Sequence, residues 1–271
     1  MSSNSGADQV PARDASTVVL IRDGRARSEI EVFLLERVGG MAFAGGMTVF
    51  PGGGVDPSDA SADVRWAGPS PSWWAERLGT DEGNAQALVC AAARETFEEC
   101  GVLLAGSAPD SVVSDTAPFA AERGRLERRE VSFAQFLTAH DLVLRSDLLR
   151  PWSHWITPVG EARRYDTRFF VAVIPEGQSA DGETSEAASV KWSSIGDALA
   201  DWRRGESILL PPTWSQLDAL SRFTTVAEVV EHEREFAPVL PILTREDGAV
   251  RVLFDGDDAY YAGARHPWAD R

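Results

Sequence analysis

Three glutamates cluster in the segment Arg94 to Val102, which reads R-E-T-F-E-E-C-G-V. Because successive residues of a helix turn by about 100°, Glu95 and Glu99 lie one turn apart and Glu98 lies beside them. Like charges placed in this way repel one another. An all-acidic face of this kind therefore favours a divalent cation with oxygen ligands, Mg²⁺ or Mn²⁺. The alternative is an acidic helix exposed to solvent, which glutamate-rich segments commonly form.

The glutamates fall at the end of a predicted helix that runs from about residue 84 to residue 100. Its buried stripe comprises Ala85, Leu88, Val89, Ala92, Ala93 and Phe97. Gly101 ends the helix, since glycine tolerates the left-handed conformation at that position. Cys90 and Cys100 lie on this helix and point in different directions, so we expect no disulfide between them.

The acidic segment resembles the second half of the signature of the Nudix hydrolases, R-E-U-x-E-E-x-G-U, in which U is a bulky apolar residue. Thr96 fills the first U position. The segment from Val49 to Gly54 is similar to the strand and turn that open this box. Gly53 lies 41 positions before Arg94, against 14 in an uninterrupted box, so about 27 residues are inserted. Gln86 stands where the box has its first glutamate, and the carboxylate expected near Arg94 is therefore absent or supplied from elsewhere.

An interrupted box is similar to that of one Nudix subgroup, typified by the peroxisomal acyl-CoA diphosphatase of animals and its bacterial relatives. Three further segments resemble that subgroup, and the resemblance covers roughly residues 15 to 220. They are Phe50 to Asp56 with Trp66, Trp155 to Phe170, and Leu210 to Thr213.

The resemblance implies an α+β fold, a Nudix-type α/β/α sandwich with a mixed sheet. It also implies metal-dependent hydrolysis of a nucleoside diphosphate linked to another group, CoA or acyl-CoA in this subgroup. Glu95, Glu98 and Glu99 would hold Mg²⁺ or Mn²⁺. The glycines at 52–54 either let the backbone approach substrate or metal, with a carbonyl such as that of Gly53 as a further ligand, or form only a tight turn. The general base is a box glutamate or a carboxylate from a distant loop. Glu186 is the best distant candidate, and Glu183 competes with it. The alternative for either residue is a solvated acid in an ordinary polar turn.

Three arginines are candidates for contact with substrate phosphates. Arg94 either organises the glutamates through a bidentate ion pair, which we favour, or binds phosphate itself. Strand alternation puts Arg164 and Arg168 on one face with Asp166. That pair either holds a 3′-phosphate or the diphosphate, or forms an ion-paired strand edge. Phe43, Trp152 and Trp155 could stack on a base, although core packing is the commoner role of such residues.

The chain has 271 residues and a formal net charge of −16. A net-acidic surface repels polyanions, which argues against nucleic acid or an anionic membrane as partner. The sequence contains no run of 18 apolar residues and no signal peptide, so we expect a cytoplasmic protein. A small-molecule nucleoside diphosphate is the expected partner, and a homodimer is left open.

We expect residues 1–14 to be a disordered tail and residues 15–271 to form a single domain. That domain would carry an insertion at 55–82, a helical elaboration at 110–150 and a C-terminal extension at 213–271. Hairpins are predicted at Asp23-Gly24 and at Asp247-Gly248. Core strands are predicted near residues 169–174 and 190–192, and helices near 194–204 and 213–234, the second interrupted around residues 223–226.

The reaction class is better determined than the substrate. NADH, nucleotide sugars and dinucleoside polyphosphates are alternative substrates. A Nudix-fold module that binds a nucleotide without cleaving it is the competing hypothesis from another functional class.

Overall fold

The computed structural model describes residues 10–24, 29–39, 45–60, 64–246 and 249–263. Its strands are β1 (Arg13–Asp23), β2 (Ile30–Arg37), β3 (Thr48–Val49), β4 (Gly52–Gly54), β5 (Trp66–Ala67), β6 (Ala105–Gly106), β7 (Val143–Arg145), β8 (Leu149–Ile156), β9 (Tyr165–Val173), β10 (Ala187–Ser194), β11 (Pro238–Val239), β12 (Ile242–Glu246) and β13 (Ala249–Leu253). Its α-helices are α1 (Pro71–Leu78), α2 (Glu82–Cys100), α3 (Ala120–Glu127), α4 (Phe133–Ala139), α5 (Ile195–Arg203), α6 (Pro211–Leu220), α7 (Val226–Glu231) and α8 (Asp257–Tyr261).

The central sheet is mixed, with strand order β10-β2-β1-β9-β8-β11, and β3 and β4 pair with β2 and β1. β1 runs parallel to β9 and antiparallel to β2, and β8 runs antiparallel to β9. Alternation along β9 sends Phe170 and Ala172 to the core beneath α2, and Phe169 and Val171 to a second core. Helices α5 to α8 cover that second face. The predicted α+β sandwich with a mixed sheet is confirmed.

The predicted glutamate-bearing helix is α2. Asp81 caps its start, accepting a hydrogen bond from the Asn84 amide, and Gly101 ends it with φ of 72°. Each member of the predicted apolar stripe is buried. Cys90 and Cys100 are free, buried thiols. Thr96 departs from the Nudix pattern, but its buried hydroxyl is satisfied because it donates to the Ala92 carbonyl at 2.7 Å.

The insertion at 55–82 and the elaboration at 110–150 contact each other through paired strands, β5 and β7. The insertion at 55–82 contains a short 3₁₀-helix (Pro57–Ala60), β5 and α1, and the elaboration at 110–150 contains α3, α4 and β7. The elaboration is therefore not wholly helical. β7 pairs with β5 and with β6, because the apolar segment Leu142 to Leu144 is buried between them.

Two other boundaries differ from the expectation. β1 begins at Arg13, inside the tail expected to be disordered, because the Arg13 amide donates to the Arg164 carbonyl and Arg13 pairs with Tyr165. The connection from β1 to β2 is longer than the tight turn predicted at Asp23-Gly24, since Asp23 pairs directly with Ile30. Residues 1–9 and the Asp247-Gly248 turn lie outside the described residues, although the flanking β12 and β13 are antiparallel as predicted.

The predicted break in the last long helix is present, since α6 ends at Leu220 and α7 begins at Val226. Among the described helices, none is both long and apolar enough to cross a membrane.

Candidate active site

The structure brings the two halves of the interrupted box together. β4, which is the glycine turn, lies between β1 and the C-terminal half of α2. The Gly52 amide donates a 2.8 Å hydrogen bond to Glu99 Oε2. A Cβ atom at Gly53 would lie 2.4 Å from Glu95 Oε1, so the backbone can approach this carboxylate only because residue 53 is glycine. Gly53 and the glutamates are therefore neighbours despite the insertion.

Arg94 lies at the centre of the site, with its side chain 10% exposed. Its Nη1 is 2.8 Å from Glu95 Oε1 and 3.3 Å from Glu98 Oε2, and its Nη2 donates to the Gly54 carbonyl at 3.0 Å. The guanidinium thus contacts the glycine turn and two of the three glutamates. This geometry supports the organising role that we favoured for Arg94.

Asp59, in the inserted 3₁₀-helix, is the main partner of Arg94. Its carboxylate accepts both Arg94 Nε and Arg94 Nη2 at 2.9 Å, and its side chain is fully buried. This aspartate supplies the carboxylate that the sequence lacks at Gln86. Sequence reasoning did not select Asp59. The available signal was two carboxylates, Asp56 and Asp59, directly after the glycine turn.

Burial dominates the electrostatics of the glutamates. It raises the pKa of Glu98 to about 7, and the neighbouring charge of Glu95 adds to this effect while Arg94 opposes it. Burial raises the pKa of Glu95 as well. The pKa of Glu99 lies well above its ordinary value because the group is desolvated and faces Glu95, and the Gly52 amide offsets this only in part. Each of these carboxylates is more costly to ionise than one in water.

A cavity of about 370 Å³ opens beside the glutamates. Among the described residues, its charged lining comprises seven carboxylates and two guanidiniums, namely Asp56, Glu95, Glu98, Glu99, Glu127, Glu130 and Glu186 against Arg94 and Arg129. Glu186 lies immediately before β10 and accepts a 2.5 Å hydrogen bond from Arg37 Nη2. Its charge contributes to the raised pKa of Glu95 and of Glu99. Glu183 is exposed and does not line the cavity, so the geometry favours Glu186 over Glu183.

The structure does not place Arg164 and Arg168 at this cavity. Arg168 is buried and bonds Asp14 and Asp166, while Arg164 donates to the carbonyls of Thr157 and Pro158. Asp14 also accepts from Asn84, which precedes Glu95 by 11 residues, about three helical turns. Arg168 and Asp166 share a face as alternation predicts, and Arg168 forms the ion pairs, whereas Arg164 lies just before β9 and bonds backbone carbonyls. The phosphate-binding role of this pair has no support from the geometry.

The candidate base-stacking tryptophans are also packed elsewhere. Trp152 and Trp155 are buried in the second core, against Phe223 and Phe254. Phe43 lies outside the described residues.

The chemistry of the donors fits a hard divalent cation, because Glu95, Glu98, Glu99 and the Gly53 backbone offer only oxygen ligands. Their raised pKa values are those of crowded, desolvated carboxylates, and a nearby cation would favour the ionised form. Throughout the ranges that the structure describes, however, no group of three or more His, Cys, Asp or Glu side chains has metal-holding geometry. Instead, the Glu95 and Glu98 carboxylates pair with Arg94, and the Glu99 carboxylate accepts a hydrogen bond from the Gly52 amide.

Comparison with known families decides the class of this site. The family model for the NUDT19 Nudix domain matches residues 75–222, which is more than half of the chain. The chain belongs to the NUDT19 Nudix domain family. It is similar to the acyl-coenzyme A diphosphatase NUDT19 of Gallus gallus, with 30% identity over 92% of this chain and 79% of the relative. It is 28% identical to the same enzyme of Xenopus laevis, over 86% of this chain and 72% of the relative.

Among solved structures, a NUDIX hydrolase from Alicyclobacillus acidocaldarius is similar, with a TM-score of 0.69 and 28% identity. The match covers 82% of this chain and 96% of that one. The protein is therefore a Nudix hydrolase, a member of a family that acts on diphosphate bonds and generally uses divalent metal ions. A non-catalytic binding module is no longer a competing interpretation.

We predict that Asp59→Asn leaves the buried Arg94 guanidinium without its full counter-charge. The free energy of unfolding should fall by about 3 kcal/mol, as when one partner of a buried ion pair is removed. Urea denaturation measures this change, and activity should fall at least about tenfold because Arg94 no longer orients the glutamates.

Asp147→Asn is the matched control for this substitution. Asp147 also binds an arginine, Arg145, through two hydrogen bonds of 2.7 and 2.8 Å, but its side chain is 35% exposed. Its loss should cost about 1 kcal/mol or less. Equal destabilisation by the two variants would contradict the assignment of Asp59 as the buried partner of Arg94.

Proposed function

We propose that this protein catalyses metal-dependent hydrolysis of the diphosphate bond in a nucleoside-diphosphate-linked substrate, with CoA or an acyl-CoA as the substrate class. The observation that carries the proposal is the reassembled box, in which Glu95, Glu98 and Glu99 border one cavity. Arg94 joins the first two to the glycine turn, and the Gly52 amide joins the third. A volume of about 370 Å³ is within the range of small-molecule sites. The CoA part rests on the relatives, which are acyl-coenzyme A diphosphatases by name.

In this proposal Glu95, Glu98, Glu99 and the Gly53 carbonyl hold Mg²⁺ or Mn²⁺. When bound, the cation supplies positive charge for the diphosphate and lowers the pKa of water. Arg94 positions the carboxylates and has no direct substrate contact.

Glu186 is the proposed general base. The Arg37 ion pair orients its carboxylate at the edge of the cavity. Glu127 supports the loop before Glu186, because its carboxylate accepts hydrogen bonds from the Ser185 amide and hydroxyl. As the water oxygen bonds to phosphorus, Glu186 takes a proton, and the bridging P–O bond breaks to release a phosphate monoester.

The substrate itself is tested with a panel of CoA, acyl-CoA, NADH, a nucleotide sugar and a dinucleoside polyphosphate. Each is incubated with the protein and Mg²⁺, and the products are identified by mass. We expect acyl-CoA to give 3′,5′-ADP and acyl-4′-phosphopantetheine. Glu98→Gln and Glu99→Gln should each lose activity by at least about 100-fold. Cleavage of NADH without cleavage of any CoA ester would contradict the CoA assignment, and full activity in both variants would contradict the catalytic site.

The base assignment is tested by a matched pair of loop glutamates. Glu186→Gln should lower kcat by about 100-fold or more, since a positioned general base contributes that much. Glu183→Gln removes the same charge from the same loop, but its side chain is outside the cavity, so kcat should stay within about twofold, as for most surface substitutions. Similar losses in the two variants would show that the loop charge matters and that Glu186 is not the base.

A further inference from the structure

We propose that Arg129 binds a phosphate group of the substrate and so offsets the negative charge of the cavity. This inference rests on the proposed function. From the part of the chain that the structure describes, a diphosphate entering the cavity meets seven carboxylates and two guanidiniums. Because like charges repel, an anionic substrate needs a cationic group that is free to contact it. Among the described residues that line the cavity, the choice lies between Arg94 and Arg129.

Arg94 has no donor to spare. A guanidinium has five N–H donors. Those of Arg94 face Asp59 twice, the Gly54 carbonyl, Glu95 and Glu98, at distances of 2.8 to 3.4 Å. Contact with a substrate phosphate would break one of these bonds and loosen the site. All five N–H donors of Arg94 therefore serve contacts within the protein, and none is available for the substrate.

Arg129 has the opposite character. It lines the same cavity from the turn between α3 and α4, and its side chain is 85% exposed. Its one ion pair with a described residue joins Nη1 to Asp56 Oδ2 at 4.0 Å, which is too long for a hydrogen bond. An exposed guanidinium on the cavity wall can bind phosphate in a bidentate manner without losing a strong contact.

Arg129 adopts a left-handed backbone conformation that arginine rarely adopts. Arg129 has φ of 56°, and only one other non-glycine residue in the described part of the chain, Asp141, has a positive φ. The Arg129 amide donates to Leu126 and the Glu130 amide donates to Arg125, the two bonds of a Schellman motif at the end of α3. Glycine usually fills this place because other residues cost about 1 kcal/mol there. A strained residue that faces a cavity is a sign of function.

Asp141 provides an internal comparison. It occupies the same Schellman position at the end of α4, where the amides of Asp141 and Leu142 donate to Thr138 and Leu137. Aspartate tolerates the left-handed conformation better than arginine does, and Asp141 does not line the cavity. Replacing each residue with glycine therefore separates relief of backbone strain from loss of a substrate contact.

The test compares Arg129→Gly, Arg129→Lys, Asp141→Gly and Arg128→Gln. Arg129→Gly should melt at or above the wild-type temperature, while its KM for the cleaved diphosphate rises about tenfold or more and kcat changes less than about threefold, as expected for a lost binding contact. Arg129→Lys should recover part of the affinity. Asp141→Gly should gain less stability than Arg129→Gly, because aspartate is less strained there and also pairs with Arg65, and its kinetics should be unchanged. Arg128→Gln removes a neighbouring charge that pairs with Glu130 and does not line the cavity, so it should leave KM within about twofold.

Calorimetric binding of ADP in the presence of Mg²⁺ gives a readout that does not depend on turnover. Weaker ADP binding in Arg129→Gly, with normal binding in Asp141→Gly, supports the inference. This holds even if no member of the panel is cleaved, because absence of cleavage would overturn only the proposed hydrolysis. Wild-type KM and wild-type ADP affinity in Arg129→Gly would overturn the role of Arg129 and leave the proposed hydrolysis standing.

Discussion

The site depends on one buried guanidinium among carboxylates at the end of a helix. Glu95, Glu98 and Glu99 lie in the last turns of α2, where the helix dipole already presents negative charge, and no basic residue lies in its last turn. Asp59 adds a further buried carboxylate. Burial alone would lower the pKa of Arg94, but the Asp59 hydrogen bonds and the charge of Glu95 raise it. Arg94 therefore remains charged and holds the glycine turn, the inserted segment and two glutamates in one place. One positive charge does not neutralise this cluster, which is the physical reason to expect a cation.

The insertion in the box is part of the site. Asp59 comes from the inserted 3₁₀-helix, and Arg129 comes from the elaboration between α3 and α4. The two regions are tied together where β5 pairs with β7. The insertion at 55–82 thus contributes Asp59, the partner of Arg94, and the elaboration at 110–150 contributes Arg129, which we propose binds substrate. Shortening either region would alter the cavity as well as the surface.

Local periodicity was enough to predict α2, its buried stripe, its glycine stop and the face shared by the glutamates. These features depend on residues within one or two turns of each other. Asp59 lies 35 residues from Arg94, and no local pattern relates the two positions. For Arg164 and Arg168, alternation predicted a shared face but could not show that Arg168 would pair with Asp14 and Asp166 while Arg164 bonds backbone carbonyls. Arg129 was missed because its signal is a backbone angle, which the sequence of an ordinary charged turn does not reveal.

The most direct test of the central claim is the melting temperature of the protein without metal and with millimolar Mn²⁺, at pH 5.5 and pH 8. The pKa of Glu98 is raised to about 7 from 4.5, so the folded state holds a proton that the unfolded state has lost, and stability falls as pH rises through that window. A bound cation requires ionised carboxylates, so its stabilising effect grows with pH. We expect the metal-free protein to melt lower at pH 8 than at pH 5.5, Mn²⁺ to raise the melting temperature more at pH 8, and Glu98→Gln to weaken both effects. A melting temperature that is indifferent to Mn²⁺ at pH 8 would contradict the assignment of this cluster as a metal site.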